Sequence, residues 1–216
     1  MTAHNCIDHK KNLLHFLAVK TAPVRCKLKP SALLRAPLCS NSENTGKCAH
    51  QAKTCAELEN ILKLLSLEHR ILRKSEQSSL ILFYDRVMLE ATLRKSQIRA
   101  FLSWHGYDSA TDAESCLNLL QKRFDTLRMP HEIGIFLGYP LKDVAGFISA
   151  KETAHAIRGD WKIFGEPEES LRIMKLHRFA ETLAHSIIEK YQDFEVCLEK
   201  IAKLKPTTNN MENANA

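Results

Sequence analysis

The sequence predicts a helix-rich α+β fold, a single domain with a small, mostly antiparallel sheet. Three observations predict it. Apolar residues recur at helical spacing through most of the chain beyond residue 54. Two short stretches of different character, His69 to Arg73 and Leu80 to Tyr84, flank the polar Lys74-Ser75-Glu76-Gln77-Ser78, the pattern of a β-hairpin. Other strand-like runs are too few and too irregularly placed for a doubly wound sheet. The expected organisation is a disordered N-terminus over 1–12, one domain over 13–204 with a flexible loop at 39–53, and a disordered tail over 205–216.

The elements follow in order. Leu13, Leu14, Phe16 and Leu17 give Asn12 to Val19 an apolar helical face. Thr21-Ala22-Pro23 should end that helix, because proline disfavours helix in the residue before it. A second apolar stretch, Ala32 to Leu38, follows Lys29-Pro30-Ser31. Thr54 and Glu57 have capping-box spacing, and Leu58, Ile61, Leu62 and Leu65 continue as a helix. In the hairpin, Leu80-Ile81-Leu82-Phe83-Tyr84 is nearly all apolar and is the more buried strand. The helical period returns with Val87, Leu89 and Leu93, then with Ile98, Phe101 and Leu102, and Gly106 stops it. Trp104-His105-Gly106-Tyr107 reads as a helix end packed on the core, or as the wall of a ligand site. Ser109 or Thr111 can cap the next helix, whose buried stripe is Ala113, Cys116, Leu117, Leu120 and Phe124. Leu141, Val144, Ala145 and Ile148 form a further helix with Pro140 at its first turn. Residues 159–165 enclose Trp161, Ile163 and Phe164, the pattern of a third strand. Glu166-Pro167-Glu168-Glu169 opens a long helical pattern to about Lys203, with acids where the helix dipole favours them.

The run from Pro130 to Pro140 stands out from this background. It packs two prolines, two glycines, the adjacent pair His131-Glu132 and five large apolar residues into eleven positions. Glycine is scarce, seven in 216 residues, yet Gly134, Gly138 and Gly146 fall within thirteen positions. Concentrating it here points to special backbone geometry or close approach. His131 could be a general acid or base oriented by Glu132 or Asp143, since its pKa lies near neutral. It could equally bond a turn while Ile133, Ile135, Phe136 and Leu137 fill the core. Metal ligation by neighbours is awkward, because adjacent side chains diverge, and Ile135 stands where an HExxH motif needs its second histidine. A ligand-binding reading takes Gly134, Gly138 and Tyr139 from the block, with Trp161 and Lys162 from beyond it. Trp161 could stack on a planar ligand or simply anchor the core. Neither a dinucleotide fingerprint nor a P-loop is present. His177 and His185 lie eight apart, about 12 Å along a helix, too far to share one metal, and read as surface or interface histidines.

The string over 130–148, followed by Gly-Asp-Trp-Lys-Ile-Phe-Gly over 159–165, resembles an uncharacterised bacterial family of unknown function. Its signature is a PHEIG-FLGYP block and a later G-WKVY block. Lys20-Thr21-Ala22-Pro23 and Leu28-Lys29-Pro30 are similar to the family's N-terminal region. The resemblance covers about Leu13 to His185. It implies a small, single-domain, cytoplasmic protein of anaerobic bacteria and carries no activity. Lys142 stands where the family tends to have Glu, and Arg25-Cys26-Lys27 replaces small residues. Ala180 lies near a position where the family often has cysteine.

Composition bounds the function classes. The formal charge is +6, with nine Lys or Arg and one acid, Glu43, from Lys10 to Lys53. That segment could attract an anion, but basic residues are otherwise scattered, which does not favour nucleic acid as a partner. No apolar run approaches the roughly 20 residues of a membrane span, and no secretory signal is recognisable, so a cytoplasmic location is expected. Seven irregularly spaced cysteines fit no disulfide framework. Cys116 and Cys197 read as buried apolar residues. Cys48, His50 and Cys55 lack zinc-ligand spacing, so no metal site is assigned. The reading favours an accessory protein that binds a small molecule or a protein partner through 130–148. The alternatives are an enzyme using His131 with Glu132 and Asp143, or a redox, metal or haem-handling factor. Cofactor and oligomeric state stay open.

Overall fold

Helix α1 (Ala3–Arg25) leads through a tight turn into strand β1 (Ser31–Ala36), and the hairpin strands β2 (Glu68–Lys74) and β3 (Ser79–Tyr84) complete an antiparallel sheet of order β1-β3-β2. The computed structural model describes residues 3–36, 60, 62–75, 78–149, 157–191 and 193–206, with the backbone alone for 3–11. The fold is α+β. Strand β3 pairs Ser31 with Tyr84 through Ala36 with Ser79 on one side, and β2 on the other, with a register shift between Ile71 and Arg73. Its alternation feeds two cores. Leu82 and Tyr84 face a helical layer of α2 (Arg86–Leu93), α3 (Ser96–Ser103), α4 (Ala113–Thr126), α5 (Ile133–Phe136) and α6 (Leu141–Ser149). Ile81 and Phe83 face α1, residues 62–65 and α8 (Phe194–Ala202). Helix α7 (Glu168–Lys190) packs along α1 on that second side. The predicted burial of β3 thus reflects helices on both faces.

Several elements match their expected form. The buried residues of α4 are Ala113, Cys116, Leu117, Leu120 and Phe124, the predicted stripe. The hairpin, the helix after Pro140 and the start of α7 at Pro167 are likewise present. Cys116 and Cys197 are buried.

Others depart from expectation for physical reasons. Helix α1 begins at Ala3 rather than Asn12 and carries Pro23 inside it. Proline removes the amide donor that would bond the Val19 carbonyl, and one turn earlier Thr21 Oγ1 donates to the Leu17 carbonyl at 2.7 Å. The helix ends at Arg25, and just beyond it Lys27 turns left-handed at φ 57° while the Pro23 carbonyl accepts from Leu28 N at 2.9 Å. The third strand of the main sheet is β1, not residues 159–165. Those form only a two-residue ladder, β4 (Ile157–Arg158) with β5 (Lys162–Ile163). Ser-Ala-Leu-Leu-Arg-Ala has no strand signature of its own, and pairing to β3 decides it. Helix α4 is capped by Asp112, which accepts from Ser115 N at 2.8 Å, in place of Ser109 or Thr111. The long C-terminal pattern breaks at Tyr191, and Asp193 caps α8 by accepting from Glu195 N at 2.9 Å. Val87 is 76 % exposed and Trp104 is 89 % exposed, so Trp104 does not pack on the core. His177 is buried, not at the surface. The predicted loop over 39–53, Cys48, His50 and Cys55, most of the helix from Thr54 and the tail beyond 206 lie outside the described residues. Among the described residues no helix is long and apolar enough to cross a membrane.

Candidate functional site

The block from Pro130 to Pro140 winds through a turn into α5, and its apolar residues Ile133, Ile135, Phe136 and Leu137 are buried. Ser31 Oγ donates to the Phe136 carbonyl at 2.6 Å, tying the block to β1. Gly138 has φ +77°, and a Cβ there would stand 2.5 Å from Pro30 Cδ. Only glycine combines that backbone with that approach. Gly134 is roofed by Val144 and Tyr139. The space over both glycines is therefore filled by side chains of the same chain.

The two carboxylates of the block go to separate places. Glu132 is buried, and it accepts from Arg123 Nε and from the Tyr107 hydroxyl at 3.2 Å. Burial and the Glu132 charge push the Tyr107 phenol far above its usual range. Asp143, at the start of α6, is also buried. It accepts from Trp161 Nε1 at 2.8 Å, Phe164 N at 2.9 Å, Ser170 Oγ at 2.6 Å and Lys142 Nζ at 2.9 Å. Burial alone would raise the Asp143 carboxyl. The bonds from Lys142, Ser170, Phe164 N and Trp161 outweigh it and hold the group below the ordinary carboxylate value. Lys142 also donates to the Phe164 carbonyl at 2.9 Å, so its charge is part of the α6–β5–α7 junction. Tyr139 stacks on Trp161 with centroids 4.2 Å apart and planes 17° apart, and Trp161 reaches His177 at 6.4 Å.

His131 is exposed, away from these partners. Its ring meets Phe147 edge-on at 4.9 Å, and Lys162 Nζ lies 5.6 Å from the centroid of the same Phe147 ring. The structure thus groups His131 with Lys162, and Tyr139 with Trp161 and Asp143. Glu132 stands apart from both.

His131 also lines a groove of about 500 Å³ between the hairpin and the segment after α4. The other lining residues include Arg35, Arg73, Arg128, Ser75 and Ser78, with Leu80, Leu127 and Met129 as apolar floor. Among the described residues no carboxylate lines it. Arg73 closes the C-terminus of α4 by donating to the Phe124 carbonyl at 2.7 Å and the Arg128 carbonyl at 2.8 Å, where a cation suits the helix dipole. Arg35 donates to Ser78 Oγ at 3.1 Å. Among the described residues none of the three arginines pairs with a carboxylate. Sequence reasoning passed over these arginines because they come from three unconnected segments and form no local motif. Among the described residues no group of three or more His, Cys, Asp or Glu is placed to hold a metal ion.

A small α+β domain with a basic, partly apolar groove is the class defined by this fold and site. The chain belongs to the family described as protein of unknown function (DUF3793), whose model matches residues 17–198. No curated protein and no solved structure matches the chain.

Proposed function

We propose that the chain is an accessory protein that binds a small anionic molecule with an apolar part in the groove beside His131. The observation that carries this reading is the lining: three arginines and a histidine, with no carboxylate among the described residues that line it, above Leu80, Leu127 and Met129. A positive concave surface raises the local concentration of anions, and guanidinium groups fit carboxylate or phosphate oxygens in a planar fork. The volume falls within the range of small-molecule sites. Arg73 acts as the fixed wall, because helix carbonyls already hold it. Arg35 and Arg128 are exposed and supply the charge that meets the ligand. His131 adds a further hydrogen-bond donor on the groove wall. An acid–base role for His131 has less support, since Glu132 and Asp143 are engaged elsewhere.

Calorimetric titration with octanoate and with inorganic phosphate tests the reading. Octanoate should bind better than phosphate, more weakly as salt rises, and about tenfold more weakly to R128A. Binding that ignores both salt and R128A would refute it.

A further inference from the structure

Helices α1 and α7 pack along one another, and their seam brings together two histidines from opposite ends of the chain. His15 of α1 and His185 of α7 meet with ring centroids 4.8 Å apart and planes tilted by 53°. On α7, Glu181 stands one turn before His185 and Glu189 one turn after it, so the three share one stripe. Val19 stands one turn beyond His15 on α1 and, with Glu181, Thr182, His185 and Ser186, lines a shallow depression of about 270 Å³. His15 is half-buried and His185 is exposed, so the pair is reachable from solvent.

The two carboxylates of the stripe have different partners. Glu181 pairs with Lys20 at 2.6 Å, across the same seam. Glu189 Oε2 lies 3.3 Å from His185 Nδ1. Among the described residues Glu189 pairs with no Lys or Arg. A carboxylate beside Nδ1 draws the ring proton to that nitrogen and leaves the lone pair on Nε2, the arrangement found behind metal-binding histidines.

We propose that His15 and His185 together bind a divalent transition-metal ion of the zinc type, clipping α1 to α7. Imidazole nitrogen suits Zn2+ and its neighbours in the first transition row. A tetrahedral ion with Zn–N bonds of about 2.1 Å places two imidazole centroids about 5 Å apart, close to the spacing of this pair. Water completes the coordination shell, and Glu189 orients His185 without ligating the ion. The site is thus an open one with two protein ligands, in keeping with the lack, among the described residues, of any group of three. The Glu189 charge, with no Lys or Arg to offset it, favours a cation beside the rings. The site shares no residue with the arginine groove.

The test is calorimetric titration of the reduced full chain with zinc chloride near neutral pH, with H15A and H185A in parallel. The cysteines are common to all three proteins, so any zinc they hold cancels in the comparison. The wild type should bind one zinc ion that each variant binds at least about tenfold more weakly. Mg2+ should not compete for it, since that ion takes oxygen ligands. E189Q keeps both rings and should weaken the site less than either histidine variant. Zinc binding by H15A or H185A equal to that of the wild type would overturn the proposal. Ring-proton NMR of the wild type decides the matter even if a variant does not fold. The His15 and His185 signals should shift together as Zn2+ is added, and either ring left unmoved at saturation would refute a shared ion.

Discussion

Asp143 and the arginine groove are opposite solutions to the placement of charge. Asp143 is buried and accepts four hydrogen bonds from four different residues. Arg35 and Arg128 are exposed and have no carboxylate among the described residues. A satisfied buried charge holds elements together, because its donors would be stranded without it. An unsatisfied exposed charge contributes little to folding and is available to a ligand. The contrast separates what builds the 130–148 block from what could use it.

Removing the buried charge is the strongest way to test that contrast. D143A strands Trp161 Nε1, Phe164 N and Ser170 Oγ together, and should lower stability in urea by about 3 kcal/mol. A loss below about 0.5 kcal/mol would place Asp143 with the surface charges. G138A meets both a left-handed backbone and the Pro30 ring, and should cost about 2–3 kcal/mol in thermal unfolding.

Next comes pH. His177 titrates near 4 when folded and near 6.5 when unfolded, so the unfolded chain takes up the proton first. Its contribution is intact above about pH 6.5, falls as pH drops towards 4, and is level below that. The expected loss is roughly 3 kcal/mol. Urea midpoints across this range check it, and H177F should flatten that part of the profile. The groove should behave differently. R128A should leave the urea midpoint within about 0.5 kcal/mol of wild type while weakening octanoate about tenfold. The smallest effect belongs to W104F, since that ring is 89 % exposed. It should change neither stability nor binding, and it leaves Trp161 as the single fluorescent reporter of its stack.

Much of the architecture was legible from local pattern. The α4 stripe, the hairpin and the acid-rich start of α7 each rest on a few neighbouring residues whose spacing sets their geometry. Misreadings arose where a distant partner outweighed local preference. Pro23 reads as a stop, yet α1 passes through it because one missing amide near the end of a helix costs little there. Ala32 to Ala36 could join any element until β3 offers its backbone. Tyr191 carries no glycine or proline, so the break between α7 and α8 is visible only through the Asp193 cap. For the candidate site, His131, Trp161 and Lys162 were singled out by composition. That His131 would part from Glu132 and Asp143 could not be read from adjacency, because neighbouring side chains diverge and each found a different surface.

Helical and strand periods, caps and the glycine-marked block are properties of short windows, and the chain order alone was enough to reveal them. The approach of Pro30 to Gly138, the four donors around Asp143 and the meeting of Arg35, Arg73 and Arg128 emerge only on folding. Each draws on segments well separated in the chain, and no local spacing encodes which distant surfaces will be brought together when two cores are buried on either side of one sheet.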